Sequence, residues 1–225
     1  MPTDDSPDRQ MRLALTREAE DRAAGFVVST SNAAAAARLD LWPDGLTPVL
    51  ALTGPAGSGK SLLAARWAER VGAVPMHGAE AALLDLLEVE GRPILLDRAP
   101  DADDETLFHL INLARSGGGA LLLVARSAPS RWKSTLPDLR SRLDAVPHVA
   151  IEAPDDVVLA AMLHAAFARR AIAPPPDLIP WLVRRIARSS EVVEEVVARL
   201  DAGPGPISRL AARRVLGPLG PGDED

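Results

Sequence analysis

At 225 residues, 47% of them hydrophobic, the chain is long enough for one large domain or for a core domain with a small companion, and its formal net charge of −6 argues against wrapping nucleic acid through net charge. It has no cysteine, which excludes disulfides and thiolate metal sites, and its four histidines, His77, His109, His148 and His164, are too scattered for a histidine-rich metal site. No apolar stretch approaches the roughly 20 residues of a membrane helix. Met1–Gln10 carries three acidic residues and no apolar run, so a secretory leader is not expected and the cytoplasm is the expected address.

Residues 1–9 are polar, and Gln10–Leu15 is a short segment of alternating apolar residues. The alanine run predicts a helix over about Ser31–Leu39, followed by a turn at Trp42-Pro43-Asp44-Gly45. Val49–Leu52 reads as a buried strand and Leu62–Ala68 as a helix. Ala73–Met76 is a second strand candidate. Ala79–Glu88 is expected to be helical, with Leu83, Leu84 and Leu87 on one face. Ile94–Asp97 is a third strand and Asp103–Arg115 a helix with Leu107, Leu110, Ile111 and Ala114 at its apolar spacing, closed by Gly117–Gly119. Ala120–Val124 is a fourth strand and Val149–Ile151 a weaker fifth. Short apolar strands separated by helices predict an α/β fold with a five-stranded parallel sheet covered on both faces.

Beyond Pro154 no strand candidate occurs. Helices are expected over Asp155–Arg170, from an Asp177 cap to about Ala187, over Ser190–Leu200, and from Pro206 to Leu216. The expected organisation is a flexible tail over 1–20, a nucleotide-binding α/β core over 21–153, a small all-helical lid over 154–216 and an acidic mobile tail over 217–225.

Gly54-Pro55-Ala56-Gly57-Ser58-Gly59-Lys60-Ser61 matches the phosphate-loop pattern G-x-x-x-x-G-K-[ST] without a gap, between a predicted strand and a predicted helix. Its glycines let consecutive backbone N–H groups turn inward as an anion nest, and the following helix presents its positive end to the same phosphates. Lys60 would reach the β- and γ-phosphates, and Ser61 would ligate Mg²⁺. Ile94-Leu95-Leu96-Asp97 is similar to a Walker B strand, whose terminal aspartate holds Mg²⁺ through water. A spacing of 37 positions between residues 60 and 97 leaves room for one intervening strand and helix. The competing reading of Asp97 is a carboxylate at a strand-to-loop turn. Active hydrolases of this type usually place a water-orienting acceptor after that aspartate. Here the residue is Arg98, a cation that cannot accept the water's proton, so unaided hydrolysis is expected to be slow. Ser127, after the fourth strand, is a candidate γ-phosphate sensor. Leu136–Asp144 holds Arg140 and Arg142, for which a solvated basic turn balanced by Asp138 and Asp144 is the local alternative to an arginine offered to a neighbour's nucleotide.

The box Leu136-Pro137-Asp138-Leu139-Arg140-Ser141-Arg142-Leu143-Asp144, with the phosphate loop, the shortened Walker B and Gln10–Leu15, resembles the Hda (HdaA) family of regulators related to the replication initiator DnaA. Phe26–Asn32 is similar to the entry into DnaA-type AAA+ domains, and Asp104–Asn112 to the helix after Walker B. The resemblance covers about residues 10–216. It implies an AAA+ fold, a bound ADP (or ATP) with Mg²⁺, and a negative regulator of replication initiation that promotes hydrolysis of ATP on DnaA. It assigns Gln10, Met11, Leu13 and Leu15 as a peptide that docks on the sliding clamp, the β subunit of DNA polymerase III, with the apolar side chains entering a groove from an extended tail. It makes Arg142 the arginine finger in trans, and a lid sensor falls on Arg188 or, by a stricter count, on Glu191. DnaA's C-terminal helix-turn-helix has no counterpart in the nine residues after Leu216. DnaA and the clamp are the implied partners, a homodimer is left open, and strong direct DNA binding is not expected, since the basic stretch Arg126, Arg131, Lys133, Arg140, Arg142 has only Trp132 as an aromatic neighbour. The phosphate loop alone would equally permit a free-standing ATPase or small-molecule kinase.

Overall fold

The computed structural model describes residues 26–83, 89–117 and 119–217. Gln10–Leu15, residues 84–88 of the expected Ala79–Glu88 helix, and all of the acidic tail beyond Gly217 lie outside them. The chain divides into two compact units: Arg38–Thr53 and Lys60–Val149 with Phe26, and Val27–Ala37, Gly54–Gly59 and Ala150 onward.

The first unit is built on strands β1 (Val49–Thr53), β2 (Val74–His77), β3 (Ile94–Asp97), β4 (Leu121–Ala125) and β5 (His148–Ala150). They form one sheet in the order β2-β3-β4-β1-β5. The pairs β2–β3, β3–β4 and β1–β4 are parallel, with Val49 opposite Leu121, Thr53 opposite Ala125 and His77 opposite Asp97. Every residue of β1 and β4 is buried, which is why both read as unbroken apolar runs.

Helix α1 (Ala33–Leu41) precedes the sheet, and α2 (Lys60–Val71) follows β1 directly, burying Leu63, Ala64, Trp67 and Ala68. Helix α3 (Asp104–Ser116) sends Leu107, Leu110 and Ile111 into the core against the sheet, starting at Asp103, whose carboxylate accepts from the Thr106 N–H. The box at 136–144 is a helix, α4 (Pro137–Asp144), and not the solvated turn of the local alternative: Leu139 and Leu143, four apart, face the same core, and Pro137 sits at the first turn, where its missing N–H is not needed. Gly78–Leu83 is a 3₁₀ turn, so the expected apolar face of an α-helix is absent there; Ala81 is buried and Leu83 is 86% exposed.

Trp42 and Trp67 stack with centroids 4.9 Å apart and are both buried. The Trp67 indole donates to the Trp42 carbonyl at 3.0 Å, and the Trp42 indole to the Thr47 carbonyl at 2.7 Å. Arg70 of α2 donates to the carbonyls of Leu39 and Trp42, so a cation meets the carbonyl end of α1, where both the orphan acceptors and the helix dipole favour it. The expected turn at Asp44-Gly45 is held by the Asp44 carboxylate, which accepts from the N–H groups of Leu46 and Thr47.

The second unit has α5 (Asp156–Arg169), α6 (Leu178–Val183), α7 (Ser190–Asp201) and α8 (Arg209–Leu216) around a core of Leu159, Leu163, Phe167, Trp181, Leu182, Val196, Val197 and Leu200. Serine hydroxyls cap α7 and α8, Ser189 accepting from Val192 N–H and Ser208 from Ala211 N–H. The last helix therefore starts after Ser208 and not at Pro206. Asp177 precedes α6 but makes no side-chain cap; its carboxylate pairs with Arg209 at 2.8 Å, and α6 ends at Val183, short of the expected Ala187.

Asp155 has two tasks. Its carboxylate accepts from the Val158 N–H, capping α5, and from the Ser29 hydroxyl, the Thr30 hydroxyl and the Ser31 N–H, which ties residues 29–31 to the start of that helix. The Ser29 hydroxyl first, then the Val158 amide, hold this carboxyl far below the usual carboxylate range.

Two outcomes follow for stability. Trp67→Ala is expected to lower unfolding free energy by about 3–5 kcal/mol in urea titration, whereas Trp67→Phe, which keeps a ring but loses the indole N–H, costs about 1–2 kcal/mol. Because the folded-state pKa of Asp155 is depressed, its contribution is complete above its unfolded value near 3.8 and is lost as pH falls toward the folded value. The stability gap between wild type and Asp155→Ala is thus expected to be flat from pH 7 to about pH 5 and to narrow below about pH 4; a gap independent of pH down to acid unfolding refutes the tie.

Candidate functional site

Phosphate-binding loops work by backbone, so the first question is what shape the chain takes over Gly54–Gly59. Gly54, Gly57 and Gly59 have φ of +153°, +65° and +94°, conformations that side-chain-bearing residues rarely adopt. A Cβ at Gly54 would stand 2.3 Å from the Ile151 carbonyl oxygen, so this position must be glycine for packing as well as for conformation. At Gly59, by contrast, no heavy atom beyond the chain neighbours lies within 4 Å of such a Cβ. Ser58 is buried. A glycine-built loop with open space at Gly59 fits a phosphate cradle.

The loop is continuous with α2, which begins at Lys60, so a bound phosphate would meet a helix N-terminus. In the first unit the Ser61 hydroxyl donates to the Asp97 carboxylate at 3.0 Å. The two side chains singled out as Mg²⁺ holders, 36 positions apart, are therefore adjacent in space. A hydroxyl and a single carboxylate are what Mg²⁺ uses when nucleotide phosphates and water supply the remaining oxygens. No group of three or more acidic or imidazole side chains suited to a metal occurs among the described residues, so an ion here would depend on the nucleotide.

Asp97 ends β3, and the chain then turns sharply. Arg98 adopts the left-handed conformation, φ 49° and ψ 47°, and its N–H donates to the other Asp97 oxygen at 2.8 Å. Arg98 itself is exposed. A Cβ at Gly78 would lie 2.3 Å from the Arg98 carbonyl oxygen, so β2's exit has to be glycine for this turn to fit. No side-chain acceptor follows Asp97 in the chain: Arg98, Ala99 and Pro100 offer none. Ser127 lies two residues past β4, and its carbonyl receives the Trp132 indole N–H at 2.9 Å.

Arg142 is half-buried on α4, its guanidinium 4.8 Å above the ring of Phe108 on α3. Its neighbour Arg140 forms an exposed pair with Asp144 at 3.7 Å. The approach to α4 is held by Asp104, which accepts from the Ser134 hydroxyl and from both the hydroxyl and the N–H of Thr135. These bonds, led by the Thr135 amide, hold the Asp104 carboxyl below its usual range. Two arginines of equal sequence standing thus differ physically: one is solvated, the other is oriented on an aromatic face.

In the second unit the start of α7 lies against the phosphate loop. The Ser190 N–H donates to the Gly57 carbonyl at 3.1 Å. A Cβ on Gly57 would stand 2.2 Å from a Glu191 carboxylate oxygen and 2.6 Å from the Ser189 Cβ. Arg188 points elsewhere: it donates to the Pro154 carbonyl at 3.0 Å and pairs with Asp156 at 2.6 Å, lining an open cavity of about 490 Å³ with Thr30, Pro154, Asp155 and Asp156. Of the two lid candidates, Glu191 is the one at the loop. Sequence periodicity places both on the same stretch of chain and does not say which one reaches it. The Asp155 tie and the Phe108 platform were likewise not singled out, since each depends on partners far away in sequence.

No protein-family model matches the sequence, and neither does any curated protein. Solved structures do resemble it. Domain III of the replication initiation protein DnaA from Thermotoga maritima superposes with a TM-score of 0.70 at 17% identity, over 86% of this chain and 94% of that one. DnaA bound to AMPPCP and single-stranded DNA gives 0.61 at 16% identity, and AMPPCP-bound DnaA from Aquifex aeolicus 0.61 at 16%. In these two longer chains the match spans 64% and 63% of their length. The five-stranded parallel sheet with its helices and helical C-terminal part is the fold of the AAA+ domain of DnaA.

Proposed function

We propose that this protein is a nucleotide-holding adaptor in replication control, which docks on the sliding clamp and promotes hydrolysis of ATP bound to DnaA. The observation that carries the reading is the pairing of Ser61 with Asp97 at 3.0 Å, followed by Arg98 where a hydrolase needs an acceptor. Such a site binds well and hydrolyses poorly. Gly54–Gly59 surround the phosphates with backbone N–H groups, Lys60 neutralises their charge, and Ser61 and Asp97 hold Mg²⁺, the ion supplying further neutralisation of the phosphates. Arg98, Ala99 and Pro100 after Asp97 offer no group to extract a proton from water, so the nucleotide is held without turnover; ADP, taken up as such, serves to hold the loop in shape. The DnaA-like fold supports the choice of process, and DnaA structures of this fold that carry AMPPCP support an adenine nucleotide.

Chemistry on a partner's nucleotide requires a cation that reaches outward. Arg142 meets that need, because Phe108 orients its guanidinium without neutralising it, as a carboxylate would. The clamp peptide Gln10, Met11, Leu13 and Leu15 supplies the second contact, so that the adaptor acts where DNA-loaded clamps are present.

The reading is tested with DnaA charged with ATP, DNA-loaded clamp and this protein. Arg142→Ala is expected to lower the stimulated hydrolysis by about 10³-fold or more, the usual scale for an arginine finger, while the thermal midpoint stays within a few degrees of wild type. Equal rates end the role given to Arg142. Separately, nucleotide released on denaturing the purified protein is expected to be ADP at about one per chain, and Lys60→Ala is expected to release at least tenfold less. Intrinsic turnover of many ATP per second would instead favour a free-standing ATPase or kinase.

A further inference from the structure

Helix α4 cannot set its own direction. At eight residues it is too short to be stable alone, and Leu136 in front of it makes no side-chain cap. Burial of Leu139 and Leu143 holds it on the core, but apolar contact has no preferred direction and tolerates small slides and rotations. Direction comes from the residues just ahead of it. One oxygen of Asp104 accepts from the Ser134 hydroxyl at 3.0 Å, from the Thr135 N–H at 2.8 Å and from the Thr135 hydroxyl at 2.9 Å. The Ser134 hydroxyl in turn accepts from the Leu136 N–H at 3.1 Å, and the Leu136 carbonyl receives the Arg140 N–H at 3.0 Å. Hydrogen bonds thus run without a break from Asp104 into the first turn of α4. Asp104 and Phe108 are four positions apart in α3, so they stand one above the other on a single face of that helix. The Arg142 guanidinium lies 4.8 Å over the Phe108 ring. Helix α3 therefore holds α4 at two points, its entry and its arginine.

We infer that Asp104 is a positioning residue for Arg142, acting through Ser134, Thr135 and the first turn of α4. This rests on the role proposed for Arg142 and adds to it the group that aims the guanidinium. An arginine that meets a transferring phosphoryl group acts only within a narrow geometry, and misplacement by about 1 Å costs on the order of 10²-fold in rate. Three bonds to one carboxylate oxygen fix distance and direction together, and the charge on the acceptor shortens and strengthens each of them.

The test uses the full-length protein with ATP-charged DnaA and DNA-loaded clamp, titrating the adaptor to separate the maximal stimulated rate from the concentration that gives half of it. Asp104→Ala is expected to lower the maximal rate by about tenfold and to leave the half-saturating concentration within about twofold, because docking is intact and only the arginine is misaimed. Asp104→Asn, whose amide oxygen accepts the same bonds without the charge, is expected to stay within about threefold of wild type. Ser134→Ala/Thr135→Val removes two of the three donors with Asp104 in place, and is expected to lower the maximal rate by about threefold or more. Nucleotide released on denaturation is expected to match wild type in every variant. An unchanged maximal rate in Asp104→Ala, or a loss confined to the half-saturating concentration, overturns the inference and leaves the role of Arg142 standing. Should Asp104→Ala lose its nucleotide, the donor variant decides, and a wild-type maximal rate there overturns the inference as well. Absence of stimulation by wild type overturns the functional reading itself, and this inference with it.

Discussion

Strand β1 has no exposed residue, and that constraint organises the molecule. Val49–Thr53 lies parallel to β4 inside the sheet, with α2 packed on the sheet and α3 on its own helical face against the shared core. A strand so buried cannot turn back within the sheet; its chain has to leave at the carboxyl edge and enter a helix. The residues bridging strand and helix are the phosphate loop, and the same edge carries Asp97 at the end of β3. Placing ligands outside the carboxyl ends of parallel strands is the general outcome of this architecture. The carboxyl ends of β1 and β3 lie at one edge of the sheet, and the hydrogen bond from the Ser61 hydroxyl to the Asp97 carboxylate joins the residues that follow and end them.

Polar side chains do the positioning that apolar burial cannot. Burial in the cores is nearly indifferent to a rotation of one helix, whereas Asp155 with Ser29 and Thr30, Asp104 with Ser134 and Thr135, and Arg70 with the end of α1 are directional. Each joins segments remote in sequence or closes a helix end. No buried side-chain polar atom among the described residues lacks a partner, so this ordering is achieved without unsatisfied groups.

Charged side chains stand at both ends of the phosphate-loop region. In the first unit the cation Arg98 directly follows Asp97, and in the second the Glu191 carboxylate lies at Gly57. Arg142, on the ring of Phe108, belongs to the first unit.

Legible in the sequence alone were the features encoded locally. The phosphate loop, the β3 aspartate, the buried strands and the start of α3 each depend on spacing, hydrophobic period or cap chemistry within a few residues. The five-stranded parallel sheet followed from unbroken apolar strands separated by helices. Tertiary structure decided what depends on distant partners. Leu136–Asp144 has too little apolar character to declare itself a helix, and becomes one because Leu139 and Leu143 find the α3 core. Asp177 had the composition of a cap, yet Arg209, 32 positions away, took its carboxylate. Arg188 and Glu191 differ by three positions, and only the docking of Ser190 on Gly57 and the hold of Asp156 on Arg188 determine that the acid, not the base, lies at the loop. Local propensity is a property of a few consecutive residues, whereas the direction of a side chain is settled by whichever remote group satisfies it first.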